Sequence, residues 1–94
     1  MNHVNLIGKL LKTLEPKQTT EEGIKKVGTC FILETKSLQL DGNGKPITKK
    51  YQHRVVLKGD IYLKFINRLR IGSDLAVEGY LAKGKVIATD IIIL

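Results

Sequence analysis

The sequence has no tryptophan, one cysteine, one methionine and two prolines in 94 residues, and its aromatic set is two Phe and three Tyr. A single cysteine, Cys30, excludes an internal disulfide and fits a reducing compartment. No stretch approaches the roughly 18 apolar residues that a membrane-crossing helix needs. Residues 1–10 lack the charged start and apolar block of a signal peptide. These absences lead us to expect a cytoplasmic protein with no membrane partner. Repeats, low-complexity tracts and linker-like composition are missing too, so a single domain over residues 1–94 is expected.

Acidic residues are also scarce. Nine Asp and Glu stand against sixteen Lys and Arg, a formal net charge of +7. The excess is spread from Lys9 to Lys85 rather than gathered in a tail, so a folded surface must carry it. Such a balance favours a polyanionic partner, either nucleic acid or an anionic surface. The hydrophobic share, 43%, is that of a folded chain. A domain this small buries only about 60–65% of the surface its unfolded chain exposes. A subunit contact would therefore add burial, and a homo-oligomer is expected.

The dominant hydrophobic period is two. Val4, Leu6, Ile7 and Gly8 open a strand running to about residue 14, with Pro16 as a stop. Residues 17–23 are polar and read as a loop. Residues 26–39 are β-prone, with Val27, Thr29, Phe31, Leu33 and Thr35 on one face. Asp41-Gly42-Asn43-Gly44 is the clearest turn. The next strand, residues 48–58, puts Tyr51, His53, Val55 and Leu57 on a core-side face. Lys50, Gln52, Arg54 and Lys58 fall on the other face, with Val56 the one apolar residue among them. This stripe is either a solvated outer face or a phosphate-binding one. Period 3.6 occurs once: Asp60 is a candidate N-cap, and Tyr62, Phe65, Ile66 and Leu69 follow on one side, with Arg68 and Arg70 near the C-terminal end. Strands at 74–82 and 85–94, joined by Lys83-Gly84, complete the chain.

Three strands, one helix and two strands give an all-β fold. The arrangement is that of the five-stranded oligonucleotide-binding (OB) barrel with one α-helix between the third and fourth strands. A generic five-stranded antiparallel sheet with one helix has the same element order.

Several segments resemble the bacterial single-stranded DNA-binding protein family. Asn2-His3-Val4-Asn5-Leu6-Ile7-Gly8-Lys9-Leu10 is similar to its opening strand, and His53-Arg54-Val55-Val56-Leu57-Lys58-Gly59 to its third-strand motif. Ile71-Gly72-Ser73 with Val77-Glu78-Gly79-Tyr80-Leu81 is similar to its fourth strand. Phe31-Ile32-Leu33-Glu34-Thr35-Lys36-Ser37 resembles the primosomal replication protein N, a dimeric relative. The resemblance implies sequence-independent binding of single-stranded DNA in replication, repair or replication restart, as a homodimer or homotetramer, with replication proteins as further partners. It implies a subunit-interface role for His53.

The departures from that family are specific. Gln52 and Lys58 stand where it has aromatic residues that stack on bases, and Gln39 falls near a further such position. The long hairpin between the last two strands is reduced to Lys83-Gly84-Lys85, and Ile91-Ile92-Ile93-Leu94 stands where an acidic tail would follow. The candidate nucleic-acid-binding residues are Lys36, Gln39, Lys50, Gln52, Arg54, Lys58, Lys83 and Lys85. Stacking is worth about 1–3 kcal/mol per base, so affinity here should lean on phosphate contacts. Tyr51 and Tyr80 reach an open face if a bulge shifts the register. Two other readings stay open: a degenerate barrel that binds protein, and an RNA-binding barrel.

No catalytic constellation is present, so an enzyme is not expected. Cys30 sits in mid-strand with no base beside it and reads as a structural thiol. His3 and His53 lack metal-site spacing, and Gly42-Asn43-Gly44-Lys45 lacks phosphate-loop spacing, so neither metal nor cofactor is expected.

Overall fold

A computed structural model describes residues 2–14 and 16–94, without the side chains of 17–19, 21, 25 and 26. Its elements are β1 (Val4–Thr13), β2 (Lys17–Glu21), β3 (Ile24–Leu40), β4 (Pro46–Lys58), α1 (Asp60–Phe65), β5 (Asp74–Ala82) and β6 (Lys85–Ile93). The strands run side by side as β1-β5-β6-β4-β3, and β1 pairs again with β3. Five strands thus close into the expected OB barrel. All their pairings are antiparallel except β4 with β6, which are parallel through Val55–Val86 and Val56–Ile87.

Alternation explains the interior. Leu10, Phe31, Leu33, Val55, Leu57 and Leu75 are fully buried, with Val77, Val86, Ala88 and Ile91 nearly so. Each such Leu, Ile, Val or Phe side chain contributes roughly 1.5–3 kcal/mol by leaving water. Thr29 is the buried polar residue of this core, and its hydroxyl donates to the Leu14 carbonyl at 2.6 Å. Of the faces read from residues 26–39 and 48–58, Thr29, Phe31, Leu33, Val55 and Leu57 are buried, Val27, Thr35 and His53 are half-buried, and Tyr51 is exposed.

Closure needs backbones to touch. A Cβ at Gly8 would lie 2.3 Å from the Glu34 carbonyl oxygen, where β1 crosses from β5 to β3. Only glycine admits that approach.

Three expectations are corrected. Residues 17–21, read as loop, form β2, which pairs with β3 outside the barrel. The connection is a two-residue turn, Glu22-Gly23, with both residues at positive φ (51° and 77°). The segment Lys17–Glu21 contains no apolar residue, so it has no alternation to reveal it. The helix is shorter than its apolar spacing suggested. Asp60 is its first residue, not its cap: Gly59, at φ 65°, turns the chain out of β4. Beyond Phe65 the chain tightens, with Arg68 N–H donating to the Phe65 carbonyl, which still delivers Leu69 to the core. Arg68 and Arg70 therefore follow the helix rather than end it, and Arg70 donates to the carbonyls of Asn67 and Leu69. Third, Tyr51 is 43% exposed instead of inward.

The reason for the Tyr51 exposure is an arm. β3 leaves β1 after Glu34 and β4 joins β6 only at Val55, yet β3 and β4 stay paired out to Leu40 opposite Pro46. Residues 35–51 project from the barrel and give the molecule its long axis of 58 Å against 28 and 20 Å. The tip is tied by the Asp41 carboxylate, which accepts from the N–H groups of Asn43 (2.8 Å) and Lys45 (2.9 Å).

Candidate nucleic-acid interface

Because Val55 and Leu57 are drawn into the core, the residues between and beside them must point outward. Gln52, Arg54 and Lys58 are exposed and Val56 is half-buried, as the sequence predicts. β3 adds its own outward residues in register. Lys36 stands opposite Lys50, Glu34 opposite Gln52, Ile32 opposite Arg54, Cys30 opposite Val56 and Gly28 opposite Lys58. The stripe is thus a two-strand surface with Lys36, Lys50, Arg54 and Lys58 on one side of the hairpin.

Two features make this surface electrostatically unusual. Lys36 and Lys50 face each other directly across an antiparallel pair, a placement that costs stability unless an anion lies between them. Among the described residues, moreover, the basic–acidic side-chain contacts within 4 Å are Lys9–Asp74 and His3–Glu78, the second an ion pair only when His3 is protonated, and both are elsewhere on the barrel. Glu34, half-buried opposite Gln52, is the acid within the stripe.

The parallel pairing of β4 with β6 extends the surface. Arg54 and Lys85 each stand one residue ahead of the Val55–Val86 pair, so both project outward on adjoining strands. Lys83 lies in the turn before Lys85 and is exposed, held at φ 52° beside Gly84 at φ 76°. Seven of the eight candidate residues are therefore on the outer side of β3, β4 and the β5–β6 turn. Gln39 is not. It lies on the opposite face of the arm, where its side-chain amide donates to the Tyr51 hydroxyl at 3.2 Å. His53, half-buried at the base of the arm, shares a 3.0 Å hydrogen bond with Thr35.

The structure also separates the tyrosines. Tyr62 is buried under the helix, Tyr51 is on the arm's inner side, and Tyr80 is on the outer face of β5, 37% exposed. Tyr80 needs no shift within its own strand, since Leu75, Val77 and Gly79 point in and Glu78 and Tyr80 out. The irregularity between Glu78 and Gly79 places an extra residue, Thr89, in β6. The apolar side chains Leu38 and Leu40, 73% and 71% exposed on the arm, carried no signal in the sequence. Alternation marks a face, and the arm's faces both meet solvent.

Among the described residues no group of three His, Cys, Asp or Glu is arranged to hold a metal, and no helix is long and apolar enough to cross a membrane. The geometry offers cations at strand spacing on a firm sheet, which suits non-covalent binding of a polyanion.

No family model matches the chain, and no curated protein sequence does. Solved structures do match. The fold is similar to a deletion mutant of the single-stranded DNA-binding protein from Thermus aquaticus, with TM-score 0.78 and 25% identity over 100% of this chain and 50% of that one. It is similar to the single-stranded DNA-binding protein of Plasmodium falciparum in complex with single-stranded DNA, with TM-score 0.72, 22% identity and coverage of 100% and 95%. It is also similar to the dimeric N-terminal domain of PriB from Thermoanaerobacter tencongensis, with TM-score 0.69, 22% identity and coverage of 99% and 96%. The chain spans about half the length of the T. aquaticus protein. The resemblance read from the sequence motifs is borne out in the fold.

Proposed function

We propose that this chain, built on the barrel of the single-stranded DNA-binding proteins and PriB, binds single-stranded DNA without sequence preference. The observation that carries the reading is the collection of Lys36, Lys50, Arg54 and Lys58 on one outer face, none of them in the ion pairs found among the described residues. Each lysine or arginine that meets a phosphate releases condensed counterions, which gives affinity that no particular base is needed for. Lys85 and Lys83 continue the track across β6. The mechanism is binding alone, with no reaction step. Replication, repair or restart of replication is the setting that the similar structures support, and a reducing cytoplasm suits Cys30.

The active species we assign is a homodimer or homotetramer. Its support is the dimeric PriB domain and the surface left open here. The arm's inner side, from half-buried His53 past Tyr51 to Ile47, continues the core-facing side of β4 into solvent. A second copy there would bury it and give His53 its interface role.

The exposed Leu38 and Leu40 favour a second reading, in which the arm docks a replication protein. One titration tests the primary reading. A fluorescein-labelled oligo(dT), followed by anisotropy at rising salt, should bind and then release with a slope of about −0.7 per phosphate contacted. With four or more contacts, affinity falls by well over an order of magnitude for each tenfold rise in salt. Absence of binding at low salt would sink the DNA reading, and tighter binding of oligo(U) would turn it toward RNA.

A further inference from the structure

We infer that Tyr80 is a base-stacking platform at the β5 end of a nucleobase subsite on the outer face of β4, β5 and β6. The inference rests on the single-strand reading above and adds what holds the bases.

The strand registers assemble the subsite. Tyr80 stands opposite Ile87, Ile87 beside Val56, and Val56 opposite Cys30, so these four residues form one row across β5, β6, β4 and β3. All four point outward. Ile87, Val56 and Cys30 are half-buried, while Tyr80 is 37% exposed. At a strand spacing of about 4.8 Å the row is an apolar band roughly 14 Å long. Cations flank it on β4 and β6, while Glu78 is the outward neighbour of Tyr80 on β5. Lys85 is the diagonal neighbour of Tyr80, about 7–8 Å away at sheet spacing. Arg54 and Lys58 lie two residues to either side of Val56 on β4. An apolar band with an aromatic ring, rimmed by lysine and arginine, is the arrangement that seats bases on the band and phosphates on the rim.

The backbone that carries the ring is also held in place. A Cβ at Gly79 would lie 2.1 Å from the Ile87 carbonyl oxygen, so β5 and β6 approach more closely there than any side chain permits. On the other flank, the Asn2 side chain bonds Leu81 twice, donating to its carbonyl and accepting from its N–H. Tyr80 sits between these two pinned residues with few torsions left to lose on binding. It lies on a different strand from Gln39, Gln52 and Lys58, the positions where the resemblance implies an aromatic. Tyr51, of similar exposure, stands instead on the arm's inner side with its hydroxyl engaged by Gln39 and takes no part in this row.

The test compares Tyr80→Leu and Tyr80→Phe with the wild-type chain on fluorescein-labelled oligo(dT) and on an abasic strand of equal length. Leucine keeps the apolar cover over Ile87 and Val56 and removes the ring. The expected result is about tenfold weaker oligo(dT) binding for Tyr80→Leu, with Tyr80→Phe within about twofold of wild type. On the abasic strand all three should bind alike. Should the leucine variant fail to fold, Tyr80→Trp supplies the chain's single tryptophan, and oligo(dT) should quench its emission while the abasic strand does not. Wild-type binding that Tyr80→Leu leaves intact, or an unquenched Tyr80→Trp that still binds, overturns the platform and leaves the DNA reading standing. A wild-type chain that binds no oligo(dT) overturns both.

Discussion

The barrel has two outer faces, and they are unlike. On β3 and β4 the outward residues include Lys36, Lys50, Arg54 and Lys58, none of them in the ion pairs found among the described residues. On β1, the start of β5 and the end of β6 the outward row is Ile7 opposite Ala76 opposite Ile92, flooring a shallow depression edged by Asn5, Glu78 and Asp90. One charge pair there is matched, Lys9–Asp74 at 3.5 Å, and His3 Nε2 lies 3.5 Å from the Glu78 carboxylate. Inward, the same five strands are alike, contributing Leu, Val, Ile, Ala and Phe to one core. The core asks only for apolar volume, so inward positions are interchangeable in chemistry. Outward positions answer to whatever meets the surface, and the asymmetry between the two faces is where function is written.

The largest effect should come from inverting the charged face. Arg54→Glu with Lys58→Glu replaces two phosphate contacts by two repulsions, and oligo(dT) affinity should drop more than a hundredfold at moderate salt. Thermal denaturation should stay nearly unchanged, because both side chains are exposed. A loss under tenfold would mean that the β3–β4 face is not the site.

The seam where the faces meet is the next point of attack. Gly8→Ala drives a methyl against the Glu34 backbone and should cost about 1–3 kcal/mol in urea denaturation. Gly42→Ala, with nothing within 4 Å of the added carbon, should cost less than about 0.5 kcal/mol. Equal costs would show that the barrel closes differently.

A gain should follow from restoring an aromatic to the charged face. Gln52→Trp adds a ring between Lys50 and Arg54 and should tighten oligo(dT) binding by about 1–3 kcal/mol, read by anisotropy. Unchanged affinity would place the strand elsewhere.

The smallest effect is the control. Lys64 and Arg68 lie over the Phe65 ring, 5.3 and 5.4 Å from its centroid, at the helical end of the barrel. Lys64→Ala with Arg68→Ala should weaken oligo(dT) binding by only a few-fold, the loss of general positive field. If this pair is as damaging as an Arg54→Ala, Lys58→Ala pair, net charge rather than the face is responsible.

The cationic stripe on β4 was legible because Val55 and Leu57 alternate with it, and a buried neighbour dictates which way an exposed one points. Tyr51 defeated the same rule. Its strand continues past the end of the barrel, so the core-side face there has no core. Gln39 left the candidate group for a related reason: an odd position on an arm with even-numbered cations lies on the other side. Lys85, by contrast, gained its place beside Arg54 only through the parallel β4–β6 pairing, which joins residues some thirty apart.

Local rules, then, determined the strands of the barrel, the tight turns at Asp41–Gly44 and Lys83–Gly84, the inward residues and the net charge, because period, turn chemistry and composition act over a few residues. The closed order β1-β5-β6-β4-β3, the length of the arm, the end of the helix at Phe65 and the gathering of Tyr80, Lys85 and Arg54 on one face were decided by the tertiary structure. Those depend on which backbones hydrogen-bond to which across long stretches of chain, and many pairings satisfy the same alternation until the core has closed and selected one.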